Sequence, residues 1–460
     1  MQQKANRKMH DFIVGPPLKQ ILLFALPLLL GNVFQQFYNM ADTFIVGRTI
    51  GVQALAAVGC TGSLSWLIVG FAQGVTSGFS LKTAQHFGAG DGDGVRKSFI
   101  NGLFLSGIIT VVLTAISVPL TRPMLGWLNT PPELMEDATM YLVIIFWGIG
   151  AALLYNHLAN SIRALGNGTM PLVFLVVACV ANIVLDYIFI LYAGMGVAGA
   201  AVATVVAQLL ASALCFVYIV RRMPVLVRYA HINQINWQGC RQQLAAGLPM
   251  GFQNSIIAIG AVVLQVVLNG LGSAAVGAYT AASKVDQFAT QPLNSVGVSV
   301  GTFAAQNYGA GKMQRIKKGA LQSTAVNVAY GVVMGVLLIA FGGQIVTLFV
   351  GPGQQEVVAL AQTYMGITAS CYFILGILFT MRYTLQGIGL SFVPTLAGVI
   401  ELVMRSAAAL VLVRFLGFAG ACFANPLAWI GSAIPLSITF FITMKKLGVL
   451  PTKAPSQKET

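Results

Sequence analysis

Ala84-Gln85-His86-Phe87-Gly88-Ala89-Gly90 returns 221 positions later as Ala305-Gln306-Asn307-Tyr308-Gly309-Ala310-Gly311. The same offset joins Gly51 and Ala54 to Gly272 and Ala275, the Gly-x-Gly of Gly166 and Gly168 to that of Gly387 and Gly389, and Gly196, Gly199 and Ala200 to Gly417, Gly420 and Ala421. Leu26-Pro27 meets Leu248-Pro249 at an offset of 222. One structural unit is therefore written twice in this chain.

Of the 460 residues, 57% are hydrophobic and 8% charged, with a mean hydropathy of +0.81. A soluble domain of this size and composition would expose apolar surface to water, so the chain belongs in a bilayer. About 20 helical residues cross a hydrocarbon core of roughly 30 Å. The apolar runs predict an all-α polytopic membrane protein with twelve transmembrane helices, near 17–45, 53–82, 94–119, 137–162, 169–192, 195–221, 241–270, 275–305, 315–345, 357–384, 391–415 and 420–445. The runs are too long for barrel strands and do not alternate. Their many small residues let helix backbones approach closely in lipid.

The net charge of +14 is a topology signal. Counted along these spans, all Lys and Arg fall on one side except Arg48, Arg122, Arg414, Lys284 and Arg405. The positive-inside rule then places both termini in the cytoplasm, and the basic stripe touches lipid headgroups rather than nucleic acid. Six spans per half bring each half back to its starting face, so the two lobes are parallel and pseudo-symmetric about the membrane normal. The expected division is a cytoplasmic segment 1–16, an N-lobe 17–221, a cytoplasmic linker 222–240 containing His231, a C-lobe 241–446 and a cytoplasmic tail 447–460. The first apolar run is too long for a signal peptide and is retained as a span.

Cys60, Cys179, Cys215, Cys240, Cys371 and Cys422 are scattered singly, a pattern of packing residues rather than disulfides or metal ligands. No Walker loop is present, so the sequence calls for no nucleotide, metal or other cofactor, and any pumping draws on H⁺ or Na⁺.

With so few charges, the intramembrane acids are the informative residues, since each costs several kcal/mol unless paired or hydrated. They are Asp42, Asp186, Asp286 and Glu401. Helix rise places Asp42 and Asp186 in the outer half of the N-lobe. Asn182 and Asp186, Thr204 and Gln208, and Asn156 and Asn160 are each four apart and share helix faces. Together with Asp42 they predict one polar ion-coupling pocket. Burial and a neighbouring acid both favour the protonated carboxyl, while amides and hydroxyls keep it hydrogen-bonded. Lys284 with Asp286, and Glu401 with Arg405, either lock the C-lobe or take part in substrate binding and gating; both readings stay open. His157 reads as a satisfied core histidine, and Lys82 and His86 as solvated. Pro27 is expected to act as a hinge in the first span. Aromatic and Met side chains including Tyr38 suit planar apolar ligands.

The runs Asn39-Met-Ala-Asp42-Thr-Phe-Ile-Val-Gly47-Arg48, Gln85-x-x-Gly88-Ala-Gly90, Arg163-Ala-Leu-Gly166-Asn-Gly168, Asn182-Ile-Val-Leu-Asp186, Gly196-Val-Ala-Gly199-Ala-Ala-Val-Ala-Thr204 and Glu401-x-x-x-Arg405 together resemble the MATE family, the multidrug and toxic compound extrusion antiporters, over essentially the whole chain. The resemblance implies a V-shaped transporter of a bacterial inner membrane that exports cationic amphiphiles or related metabolites in exchange for H⁺ or, less favoured, Na⁺. It assigns the coupling acids to Asp42 and Asp186, with Asn182, Thr204 and Asn156 or Asn160 around them. Some members also carry coupling acids on the seventh and tenth spans. Gln253, Asn254 and Ser255 stand on the seventh here, and no acid lies between Tyr364 and Thr380, a departure that favours an N-lobe site. Both lobes lie in one chain, which suggests a monomer. The competing expectation is a lipid-linked precursor flippase of related fold, which would need several arginines facing the cavity.

Overall fold

A computed structural model describes residues 12–228, 234–351 and 353–449, without the side chains of 349 and 350. Lys4, Arg7, Lys8, His231, Lys453 and Lys458 lie outside the described residues, as do most of the expected N-terminal segment, nearly all of the tail and the middle of the linker.

The described residues form twelve membrane-length helical units. Nine are single apolar helices and two are bent pairs. The twelfth, Ser273–Gly309, is too rich in Ser, Thr, Asn and Gln to pass on hydropathy; its length of 37 residues equals that of its repeat mate, Val52–Gly88. The repeat recurs in other paired lengths: Pro17–Thr49 and Trp237–Asn269 both have 33 residues. Gly51 and Gly272, which precede the second and eighth spans, hold φ of 127° and 96°, a region that L side chains avoid.

The fourth and tenth spans were each expected as one continuous run, 137–162 and 357–384. Each is instead broken: Pro132–Trp147 meets Ile149–Ala164 at 45°, and Gln355–Ala369 meets Tyr372–Gly387 at 48°. At Gly148 a side chain would collide with Val205 of the sixth span, so glycine there lets two spans close at the bend. The first span passes through Pro27 as one helix. The fifth ends in a π-helical turn, Ile188–Tyr192, that begins two residues after Asp186, a local form frequent at functional sites.

Each lobe buries its own packing. The first span packs on the fifth, the second on the third and fourth, and the sixth on the fourth and fifth; in the C-lobe the tenth packs on the eighth, ninth and twelfth, and the eleventh on the twelfth. The lobes meet where the second span lies on the seventh and the first on the eighth. The second–seventh seam is a backbone contact. A Cβ at Gly74 would stand 2.5 Å from the Met250 carbonyl oxygen and 2.8 Å from Gly251 Cα. The repeat mates of Gly74 and Gly78 on the other seam are Ser295 and Ser299, and there Asn32 donates to Ser295 at 3.2 Å while the Phe37 and Phe288 rings lie 6.5 Å apart.

Both described chain ends lie on one face, the terminal face. There Arg315 donates to the carbonyls of Phe12 and Gly15, and Asn307 to Phe12, strapping the N-terminal segment to the C-lobe. Moving away from that face, the last hydrogen bonds and ring contacts between lobes are Asn254 to the Gly70 carbonyl, Ser255 to the Leu67 carbonyl, and Phe37 with Phe288. Beyond them, among the described residues, none joins the lobes, which part toward the opposite face as the arms of a V.

Candidate functional site

Asp42 and Asp186 meet in the opened half of the N-lobe. Asp186 is fully buried and Asp42 is 8% exposed, and their carboxyl groups are within hydrogen-bonding reach. Asn182 lies one turn from Asp186 on the same helix face and is itself fully buried. With its amide oriented by its neighbours, it donates to Asp186 Oδ2 and accepts from the Thr204 backbone N–H, both at 3.2 Å. Tyr38, one turn before Asp42, donates its hydroxyl to Thr204 Oγ1 at 3.1 Å. Tyr141 of the fourth span stands within electrostatic range of both acids. Ile45, Val46, Ala54, Tyr141, Ile190, Val197, Ala200 and Ala201 form a buried apolar cluster in this part of the lobe.

One oxygen of each acid, Asp42 Oδ1 and Asp186 Oδ1, is buried with no hydrogen-bond partner among the described residues. Two carboxyls this close repel when both are ionised and are joined when one carries a proton. Their unpartnered oxygens are acceptors that a proton or a small cation would satisfy. Among the described residues no Lys or Arg forms an ion pair with either acid.

The remaining sequence candidates are placed as follows. Gln208 is half-buried on the sixth span, one turn beyond Thr204. Asn156 turns onto its own helix, donating to the Ala152 carbonyl at 2.8 Å. Asn160 accepts from Arg163 at 3.1 Å and faces Ser77 at 3.4 Å, on the side of the lobe nearer the terminal face and away from the acids. His157 is buried, stacked on Phe99 and bonded to the Phe99 carbonyl at 3.1 Å.

The C-lobe holds different groups. Asp42 maps to Leu264 at the first span's offset of 222, and Asp186 to Ala407 at 221, so neither acid has an acidic repeat mate. Glu401 instead accepts from Arg405 at 2.9 Å and from Arg382 at 2.7 Å, all three buried. Arg382, counted with the basic face in the sequence, is a core residue. Gln253, its amide oriented toward that arginine, accepts from Arg382 at 3.1 and 3.2 Å and lies 2.9 Å from the Gln386 amide. The seventh, tenth and eleventh spans are thus joined by one network with a formal charge of +1. Asp286 accepts from the Tyr372 hydroxyl at 2.5 Å. Lys284 is exposed, and among the described residues no ion pair joins it to Asp286; two residues apart on a helix, they face different sides.

Sequence reasoning missed Tyr141, Arg382 and Tyr372. Each meets its partner through tertiary packing alone, and the available signal was a polar terminus within an apolar run.

The sequence matches MatE over residues 27–188 and a second time over 249–411. The chain belongs to the MatE family. The two matched segments begin 222 positions apart, since 249 − 27 = 222, in step with the internal repeat. Similar MatE-type relatives include a protein named probable multidrug resistance protein YpnP from Bacillus subtilis, 28% identical over 83% of this chain and 85% of that one. A probable multidrug resistance protein NorM from Thermotoga maritima is 25% identical over 95% and 92%. Among solved structures, an outward-facing conformation of a multidrug resistance MATE family transporter superposes with a TM-score of 0.87 at 22% identity, covering 96% of this chain and 99% of that one. The MatE fold of two six-helix lobes is therefore the fold of this chain.

Proposed function

We propose that this MatE protein is a secondary antiporter that exports cationic amphiphilic drugs or metabolites in exchange for protons, by alternating access between its two lobes. The observation that carries the reading is the Asp42–Asp186 pair: two buried carboxyls within hydrogen-bonding reach, with no cationic partner among the described residues and supported by Asn182, Thr204, Tyr38 and Tyr141. A proton shared by the pair removes its repulsion, and its release leaves an anionic site that attracts an organic cation. The names of the relatives support drug export as the substrate class.

In this reading the terminal face is cytoplasmic by the positive-inside rule, the membrane is a bacterial inner membrane, and one chain carries a whole transport pathway. Exchange of one monovalent cation for one proton moves no net charge; a second proton adds about 2.3 kcal/mol per 100 mV, roughly fiftyfold in attainable gradient. The lipid-linked precursor reading is set aside because the arginines within the C-lobe, Arg382 and Arg405, are engaged by Glu401 and Gln253.

The test is efflux of a fluorescent cationic dye by wild type, Asp42→Asn and Asp186→Asn, with proton and sodium gradients imposed separately. Proton-driven efflux is lost in both variants at unchanged protein level. Undiminished efflux in both would sink the reading, and sodium-driven efflux alone would change the coupling ion.

A further inference from the structure

We propose that the two copies of Ala-Gln-x-x-Gly-Ala-Gly are reciprocal halves of one gate on the terminal face, with Gln85 and Gln306 as its gating residues. This rests on the alternating-access part of the reading above, not on its substrate or ion.

Gln85 Nε2 donates across the lobe interface to the carbonyl of Gly387 at 2.8 Å, and Gln306 Nε2 donates in the opposite direction to the carbonyl of Ala164 at 2.7 Å. Gly387 and Ala164 are the last residues of the tenth and fourth spans. The last carbonyls of a helix have no partner within it, so each glutamine satisfies a helix end belonging to the other lobe. The glycines are reciprocal too. A Cβ at Gly88 would collide with the Gln306 carbonyl, and one at Gly309 with the Gln85 carbonyl. The spacing of Gln and Gly within the motif therefore has a physical meaning: the first reaches over, and the second admits the other lobe's backbone.

The halves differ in support. Lys82 donates to Gln85 Oε1 at 3.2 Å, whereas its repeat mate is Phe303, and Gln306 Oε1 is buried with no hydrogen-bond partner among the described residues. Gln306 is fully buried and Gln85 half-buried. A structural fastener alone would sit anywhere in the seam. These bonds sit at the closed end of the V, where they must break for the terminal face to open.

The test measures alkylation by a membrane-impermeant maleimide in a chain whose six native cysteines are replaced. One probe cysteine replaces buried Ser299, near the closed end, and a separate one replaces exposed Asn39, in the opened half. The loss of one net hydrogen bond shifts an open-to-closed ratio about fivefold, and two about thirtyfold when additive. Gln85→Ala/Gln306→Ala is expected to speed alkylation at Ser299→Cys by that order and to slow it at Asn39→Cys, because one face opens as the other closes. Rates that rise at both sites would show general loosening and overturn the proposal, as would rates that change at neither. If the double variant does not fold, Gln85→Ala alone gives the same opposed readout at about fivefold. No transported substrate or ion gradient enters the measurement, so it succeeds or fails apart from the antiport reading.

Discussion

The hydroxyl of Tyr372 donates a 2.5 Å hydrogen bond to Oδ1 of Asp286, tying the eighth span to the tenth beneath a shell of buried aromatic rings. This donor holds Asp286 in the C-lobe, whereas Asp42 and Asp186 face each other in the N-lobe. Asp286→Asn keeps an acceptor for Tyr372 and is expected to retain most dye efflux, whereas Asp42→Asn loses it. Tyr372→Phe should cost about 1–3 kcal/mol of stability by leaving that buried oxygen without its donor. Thermal unfolding in detergent checks the second value; efflux lost in Asp286→Asn at unchanged Tm would move this acid into the coupling machinery.

Glu401 holds two buried guanidiniums. Removing the shared carboxylate by Glu401→Gln leaves both charges uncompensated and is expected to destabilise by about 3–5 kcal/mol. The double variant Glu401→Gln/Arg405→Met should recover part of that loss, since one orphaned charge goes with it. A double-mutant cycle on Tm measures the coupling; strictly additive losses would mean that the pair does not interact as its 2.9 Å separation indicates.

At the second–seventh seam, Gly74→Ala drives a methyl against the backbone of Met250 and Gly251. Overpacking of this kind costs about 1–3 kcal/mol. Gly59, in the same span, has nothing within 4 Å of a Cβ, so Gly59→Ala should be neutral or stabilising by up to about 1 kcal/mol. The two alanines compared by thermal unfolding separate packing from helix propensity.

Asp91 caps the third span, accepting from the Gly94 N–H at 2.8 Å. That bond, assisted by His86 at 3.0 Å, holds its carboxyl below the usual carboxylate range. A depressed value in the folded protein means that the stabilisation is present above the unfolded value, about 3.9, and is lost as pH falls through the folded one. Asp91→Ala is expected to cost about 1 kcal/mol at pH 7, and the gap between the two proteins should close in acid. A gap that widened below pH 4 would reverse the sign.

The repeat made the fold legible before any packing was known. It showed that six spans recur in each half and so fixed the parallel orientation of the lobes, while the apolar runs placed the eighth span near 275–305, a helix that falls below a strict hydropathy threshold. Same-helix pairs were also legible: Asn182 with Asp186 and Glu401 with Arg405 follow from four-residue spacing. What spacing cannot say is which neighbouring helix a polar face meets. Asn160 carried the right period but turns to Ser77 and Arg163. Arg382, near the end of an apolar run, was counted with the basic face, but Glu401, 19 positions away, is its partner. The bends in the fourth and tenth spans were hidden for a related reason, since a glycine or a short polar break within an apolar run leaves hydropathy unchanged.

Reciprocity at the terminal face has a consequence for how the molecule can be divided. Gln85 closes on a carbonyl of the C-lobe and Gln306 on one of the N-lobe, so neither half contains a complete fastening of its own. Two polypeptides separated after Arg228 would each carry one donor and one acceptor of the pair. Co-produced, they should find each other as a complementing heterodimer, while homodimers of the N-terminal fragment would bring two copies of Asp42 and Asp186 together without the Arg382–Glu401–Arg405 network that joins three spans of the other half.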